Sequence, residues 1–437
     1  MQMKKAIQNH CTELNSIQEF NPQAVMGKFT RVEMCRACHS STLHHFLSFG
    51  LMPKPNGFLT KQNLNKPERY FPLNVDFCST CGMVQLEEVI SPNELFDHYV
   101  YSSSASYPMV EHLRNLAKEL VTRFSLSQKD LVLDVGSNDG TLLSVFKQLG
   151  ITILGIDPAK NIAEIANAQK IPTINDFFSQ VSAKKILTSH GTCKVITIVN
   201  VLAQIPDWDS LFAGVKTLLH KEGTCLIEFP YLVDTLKTFE FDTMYHEHQS
   251  MVSVHPLSIA LRRHCLEIFD VKHDPIHGGS IRVFISHIGV RKICKRVDVY
   301  LDEENTIGIS NPDIYSAYAT KVYEIRDEMI QLLNSLIHQK KKIIGYGATA
   351  KGNVLLNFCR LNHIQISAIV DSTTFKQGLY TPGSHIPVVS ESQLDKLNPD
   401  YAILTAWNFA DAILKKNKQR IKKGLKFIRP YPIPTVL

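Results

Sequence analysis

The chain has 437 residues, 44% of them apolar and 20% charged, with a net charge of +6. That length exceeds what one hydrophobic core holds and predicts two or three domains, and the composition is that of a soluble globular protein. No run of about 18 apolar residues occurs, so no membrane span is expected, and +6 over this length is weak for a nucleic-acid-binding protein.

The chain start lacks the apolar core and small-residue cleavage site of a signal peptide. Ten cysteines without such a signal point to a reducing, cytoplasmic location. Basic residues cluster at Lys340–Lys342 and Lys415–Lys423. A solvated helix face explains them, as does attraction to phosphates.

Residues 1–28 are polar and read as an N-terminal extension. Residues 29–90 hold Cys35-Arg-Ala-Cys38 and Cys78-Ser-Thr-Cys81, around a proline-rich, poorly periodic stretch, Leu51–Gly57. Each C-x-x-C pair can turn through a tight knuckle and present two thiolates. Two pairs make a tetrahedral sulfur site, which zinc favours. Two disulfides or an iron–sulfur site are the alternatives. With four protein ligands such a metal is structural rather than catalytic. Cys11, Cys193, Cys225, Cys265, Cys294 and Cys359 stand alone, and most read as small buried hydrophobes.

Residues 91–310 form the next unit. A helix is expected over about Tyr107 to Phe124. Strands follow at Leu131–Val135, Ile151–Ile156, Val195–Val199 and Thr224–Phe229, with a helix over Trp208–Leu219. This alternation predicts a parallel, doubly wound sheet with function at the carboxyl ends of its strands. Those ends carry Asp134, Gly136, Ser137, Asn138, Asp139, Gly140, then Asp157, Asn200 and Glu228. Asp157 follows Asp134 by 23 positions, where a ribose-binding acid belongs. Acids flanking the glycine turn would repel a pyrophosphate and suit a cation. S-adenosylmethionine, with a sulfonium, an ammonium and a ribose, is such a cation.

The segment Tyr245-His246-Glu247-His248 follows. Histidine exchanges protons near neutral pH, and a neighbouring carboxylate can orient it. The H-x-H spacing does not place two metal ligands on one helix face, so acid–base work is the better reading. Residues 311–437 form a third unit. A helix over about Ile314–Gln339 leads into Gly345-Tyr-Gly-Ala-Thr-Ala-Lys-Gly-Asn353, a second strand–glycine turn–helix. Asp371 follows the next apolar run. Alone this would pass as a nicotinamide-cofactor fingerprint, although a Rossmann-like module need not bind that group.

In combination these parts resemble the sugar C-methyltransferase family that acts on nucleotide-linked keto-deoxysugars. The resemblance runs from Cys35 to Trp407. It rests on the four cysteines, Phe96–Ser104, Asp134–Thr141, Asn200–Asp207, Tyr245–His248, Gly278–Arg282 and Gly345–Asn353. Two positions depart from the family pattern: Gln204 stands where histidine is usual, and Thr349 where proline is usual.

The resemblance implies a small zinc-binding domain, a central Rossmann-like class I methyltransferase domain, and a C-terminal Rossmann-like α/β domain that contributes to the substrate cleft. It places S-adenosylmethionine in the middle domain, so that the C-terminal turn needs no nicotinamide. Asp134, Gly136, Ser137, Asn138, Asp139, Gly140, Asp157 and Asn200 then bind the cofactor. Gly347, Lys351 and Asn353 bind the substrate, with Lys351 and backbone amides on its diphosphate. The implied chemistry is deprotonation beside a ketone and methylation of the enolate carbon. His248 is the leading base or proton shuttle and Glu247 orients it. Tyr245, with Tyr99 or Tyr101, stabilises the enolate oxygen or relays protons, and His246 completes the candidate set.

Two rival functions stay open from the residues alone. An O- or N-methyltransferase of a small molecule would need no enolate. A zinc-containing nucleic-acid-binding protein would leave both glycine turns unexplained. No membrane partner is expected, and the oligomeric state is open, a monomer being compatible with the sequence.

Overall fold

A computed structural model of the protein describes residues 13–96 and 102–437. Cys11, Tyr99 and Tyr101 lie outside the described residues.

The N-terminal unit is built on one long strand, Glu68–Cys78. Leu43–Pro53 pairs antiparallel along one edge, while Ala24–Met26 (parallel) and Val84–Leu86 (antiparallel) share the other. Register shifts at His45/Leu47 and Ser48/Leu51 break the alternation of the Leu43–Pro53 strand. That is why a stretch lacking clear period 2 is nonetheless a strand. Ser250–Met251, far along the chain, extends the same sheet through Val84–Leu86.

The middle sheet has seven strands. In spatial order they are Thr173–Ile174, Thr152–Ile156, Leu131–Val135, Cys193–Val199, Leu219–Pro230, Ser280–His287 and Leu266–Asp274. All pairings are parallel except those of Ser280–His287, which runs antiparallel to both neighbours. Leu131–Val135 is buried at every position, as expected of a central strand covered by helices on both faces. The chain crosses to one side for the second and third strands and to the other for the fourth and fifth. A crevice therefore opens between the carboxyl ends of Leu131–Val135 and Cys193–Val199.

The C-terminal sheet repeats that order. Val388–Val389, Ile369–Val370, Ile343–Tyr346, Tyr401–Leu404 and Lys426–Arg429 run parallel, and Thr435–Val436 closes the edge antiparallel. Its crevice opens between Ile343–Tyr346 and Tyr401–Leu404.

The helix Pro312–His338 joins the units. It buries Tyr315, Tyr318, Val322, Ile325, Met329, Leu333 and Leu336, a three- and four-residue spacing that makes one apolar face. This face shares a core with Leu47, Phe49, Leu73, Val75 and Phe77 of the N-terminal sheet and with Val354, Leu355 and Phe358 of the C-terminal unit. No helix among the described residues is long and apolar enough to cross a membrane.

Candidate functional site

Both crevices open into one cavity of about 1010 Å³. From the middle domain it is lined by Asp134, Gly136, Ser137, Asn138, Asp157 and Asn200. From the C-terminal domain come Gly347, Thr349, Ala350, Lys351, Asp371 and Lys376. Tyr245, Glu247 and His248 share the wall, and Asn56 and Asn93 reach it from the N-terminal unit.

At the middle turn most backbone amides are already taken. Those of Gly136 and Ser137 go to the Ile156 carbonyl, Gly140 to Ser137, Asn138 to the Asp157 carboxylate and Thr141 to Asp139. Gly136 has φ +68°, and a Cβ there would lie 2.4 Å from Val201, so only glycine lets the turn close against the segment that follows the neighbouring strand. With these five amides committed, a pyrophosphate would find few free donors in the turn itself. What faces the cavity is acceptors. The buried Asn200 Oδ1 and Ser137 Oγ have no partner among the described residues. Asp157 accepts the amides of Asn138 and Ala159, each at 2.9 Å, and keeps a second lone pair on each oxygen. Asp134 accepts the Thr197 hydroxyl at 2.6 Å, and burial pushes its carboxyl up to about 7. A cation bearing a ribose fits this donor-poor, acid-rich crevice.

Two residues expected there turn elsewhere. Asp139 accepts the Ser102 hydroxyl (2.5 Å), the Ser104 amide (2.9 Å) and the Thr141 hydroxyl (2.5 Å). Burial raises this carboxyl, but the hydrogen bonds outweigh it and hold it below its ordinary value. It anchors the segment that follows residue 101 and does not face the cavity. Gly140 is the left-handed cap of the helix Thr141–Gln148 and also lies off the wall.

The C-terminal turn makes the opposite arrangement. The Gly347 amide goes to Val370 and the Ala348 amide to Asp371, whose other oxygen accepts the Thr373 amide. Asp371 thus ties its turn as Asp157 ties the other. The next three amides, of Thr349, Ala350 and Lys351, head the helix Ala350–Phe358, where no intrahelical acceptor exists. They open on the cavity at the positive end of a helix. Asn353 does not join them, because its amide donates to the Pro55 carbonyl at 2.6 Å and ties the helix to the N-terminal unit.

In the Tyr245–His248 segment two rings work as a pair. The Tyr245 hydroxyl lies 2.7 Å from His248 Nε2, and His248 Nδ1 lies 3.0 Å from the Thr243 carbonyl. A carbonyl only accepts, so Nδ1 carries the hydrogen and Nε2 accepts from the phenol. Burial, aided by the Lys351 charge, lowers the imidazole to about 3, so the ring is neutral with a free base nitrogen.

Glu247 does not orient this ring: both its oxygens accept from Asn56 Nδ2, at 2.9 and 2.7 Å. The backbone carbonyl of Thr243 does the orienting instead. Burial pushes Glu247 up to about 7 against the pull of Asn56, Lys376 and Lys54. His246 points away, donating to the Pro72 carbonyl (3.1 Å) and meeting Phe71 edge-on, which makes it part of the packing.

Three wall residues escaped the sequence reading. Asn56 lies in the proline-rich stretch. Lys376 is buried and donates to the Ala348 carbonyl at 2.8 Å. His277 accepts from Asn200 Nδ2 at 3.1 Å, and the carbonyl of Asn200 accepts from Gln204. Asn200 and His277 both hold left-handed backbone, φ +58° and +60°, the kind of strain that collects at working sites. The Gly278-Gly279 pair after His277 was the one available signal.

Away from the cavity the four cysteines converge. Cys35 and Cys81 Sγ are 3.5 Å apart, Cys38 and Cys78 3.6 Å, and all four lie within 4.8 Å of one another. Thiolates about 2.3 Å from a tetrahedral zinc would stand about 3.8 Å apart, so the set fits that ion.

Comparison with known proteins finds three matched segments. Residues 35–96 match a domain described as zinc binding, 109–269 a methyltransferase domain, and 275–432 the C-methyltransferase C-terminal domain. The last match begins before Ser280–His287, a strand of the middle sheet. The C-methyltransferase NovU of Streptomyces niveus is 36% identical over 407 residues, spanning 93% of this chain and 97% of that protein. The ubiquinone biosynthesis O-methyltransferase of Colwellia psychrerythraea is 24% identical over 165 residues, 34% of this chain and 66% of that protein. Among solved structures, the plantazolicin methyltransferase BpumL in complex with SAH covers 42% of this chain and 88% of its own, at 16% identity and a TM-score of 0.33.

Proposed function

This chain belongs to the C-methyltransferase family, and from that premise we propose that it methylates a ring carbon, next to a ketone, of a nucleotide-diphosphate-linked keto-deoxysugar. The observation that carries the proposal is the pairing of two unlike crevices on one cavity. The middle one is lined with acceptors, and the other offers the amides of Thr349, Ala350 and Lys351. The first suits S-adenosylmethionine, the methyl donor of this domain, and the second suits a diphosphate.

When bound, the cofactor supplies an electrophilic methyl on a sulfonium. Asp157 would hold its ribose hydroxyls, and Asp134, Ser137 and Asn200 its cationic end. Asp371, built like Asp157, would hold the ribose of the substrate's nucleotide. Carbon is a poor nucleophile until deprotonated, and the Tyr245–His248 pair meets that need. The C–H proton passes to the phenol oxygen as the phenol proton passes to His248 Nε2, and the Thr243 carbonyl keeps the ring aligned. Tyr99 or Tyr101 is assigned to the enolate oxygen or to the proton relay. An O- or N-methyltransferase could use such a relay on a hydroxyl or an amine but would need no enolate, and the exchange of a ring hydrogen separates the two.

The test is hydrogen exchange. In deuterium oxide, with S-adenosylhomocysteine bound, the enzyme should exchange the hydrogen beside the ketone of its own substrate, found from a panel of nucleotide-linked 4-keto-sugars. Methyl transfer to a sugar whose ring hydrogens never exchange would remove the enolate from the account.

A further inference from the structure

Lys351 starts at the C-terminal turn, but its ammonium is anchored at the far wall. Nζ donates to the His277 carbonyl at 3.2 Å and sits 4.6 Å from the centre of the Trp407 ring. Trp407 in turn donates to Asp242 at 2.8 Å, three residues before Tyr245. Gly278 closes this corner: it has φ +95°, and a Cβ there would lie 2.5 Å from the Glu240 carboxylate and 2.6 Å from Trp407. The cation is thereby held on the wall that carries Tyr245 and His248, although its backbone belongs to the opposite domain.

The ammonium has unused capacity. It carries three N–H donors, and the His277 carbonyl takes one. No carboxylate among the described residues lies within 4.0 Å of it. Of the nearby acids, Glu240 is pushed by burial up to about 8 and is mainly neutral at pH 7, and Asp242, pushed to about 6, gives one carboxylate oxygen to Trp407. Meanwhile the diphosphate has donors of its own in the open amides of residues 349–351.

We infer that Lys351 is a catalytic residue whose ammonium hydrogen-bonds the substrate's ketone oxygen as it becomes an enolate, rather than a ligand of the diphosphate. The inference rests on the enolate reading above. In the step concerned the C–H bond breaks and its proton goes to the Tyr245–His248 pair. The C–H electrons form the C=C bond, and the C=O π electrons move onto oxygen, where the ammonium meets them without giving up its proton. A fixed donor aimed at developing charge in a water-poor site is the arrangement that stabilises such a transition state. The coupling also runs the other way. The Lys351 charge helps depress the basicity of His248, so an oxyanion that neutralises it restores that basicity as the proton arrives.

The experiment compares wild type with Lys351→Met, and with Lys351→Gln in case the methionine variant fails to fold. Folding is checked by thermal melting and by S-adenosylmethionine affinity. Calorimetry measures affinity for thymidine and uridine diphosphates, and NMR measures deuterium exchange at saturating keto-sugar with S-adenosylhomocysteine bound. The expected result is exchange slowed about 10²–10³-fold, with nucleoside diphosphate affinity within about twofold of wild type. Exchange at the wild-type rate, or a loss of diphosphate affinity of about tenfold or more, would overturn the role. An absence of exchange in wild type itself would sink the enolate reading and this inference with it, whereas exchange that the variants retain would sink Lys351 alone.

Discussion

The two glycine turns share strand order, an acid at the end of the next strand and a helix beyond, yet they present opposite faces to the same cavity. In the middle domain the amides of Gly136, Ser137, Asn138, Gly140 and Thr141 are consumed by Ile156, Asp157, Ser137 and Asp139, and buried acceptors face the ligand. In the C-terminal domain the Asp371 tie stops at Ala348, and three amides stay open at a helix start. The lesson is that the glycine pattern gives only the shape of the turn. Which backbone donors remain unpaired decides whether it receives a cation or a phosphate.

The largest expected effect breaks both crevices at once. Structural zinc can contribute roughly 10–16 kcal/mol of apparent binding energy in small modules, and the N-terminal unit reaches the cavity through Asn56 and holds Asn353 through Pro55. Cys78→Ser should unfold the zinc unit locally and abolish activity. The check is metal analysis with limited proteolysis, and less than half an equivalent of zinc in active wild-type protein would contradict it.

Next comes the relay between the crevices. His248→Asn keeps polarity but removes the base nitrogen, and should slow methyl transfer about 10²–10⁴-fold with near-normal cofactor affinity, as followed by steady-state rates and calorimetry. A fully active variant would move the base elsewhere.

The comparison itself is sharpened by a crossed pair. A charge-assisted hydrogen bond contributes roughly 1.5–3 kcal/mol. Asp157→Ala should therefore weaken S-adenosylmethionine by about 10–100-fold and spare nucleoside diphosphates, and Asp371→Ala should do the reverse. Equal losses for both ligands in either variant would mean that the crevices are not separate sites.

The smallest effect is a proton. Asp134 is raised to about 7 chiefly by burial, and a bound cation favours its ionised form. Binding S-adenosylmethionine should therefore release about half a proton near pH 7, and affinity should rise with pH through that value. S-adenosylhomocysteine, without the sulfonium charge, should release less. Calorimetry in buffers of different ionisation enthalpy measures this, and proton uptake would contradict the assignment.

Much of this architecture was readable from residue order. The helix expected over Tyr107–Phe124 is the helix observed, because its apolar residues recur at helical spacing between a proline in the first turn and a left-handed stop at Ser125. The buried run Leu131–Val135 and the acids at 134 and 157 were readable for the same reason: local pattern and local geometry coincide. What stayed hidden depended on partners far along the chain. The Leu43–Pro53 strand is masked by its bulges. Asn56, His277 and Lys376 reach the wall from loops without motif spacing. Glu247 sits beside His248 in sequence but bonds Asn56, and His246 and Asn353 point into packing. Adjacent positions in an irregular segment project in different directions, so sequence proximity is a poor guide there.

Where the methyl group lands tests the central claim most directly. The enzyme would be incubated with S-adenosylmethionine labelled with ¹³C in its methyl group and with nucleotide-linked 4-keto-sugars, and the product examined by two-dimensional NMR. The account predicts a labelled methyl bonded to a ring carbon adjacent to the carbonyl. A label bonded to oxygen or nitrogen would contradict it.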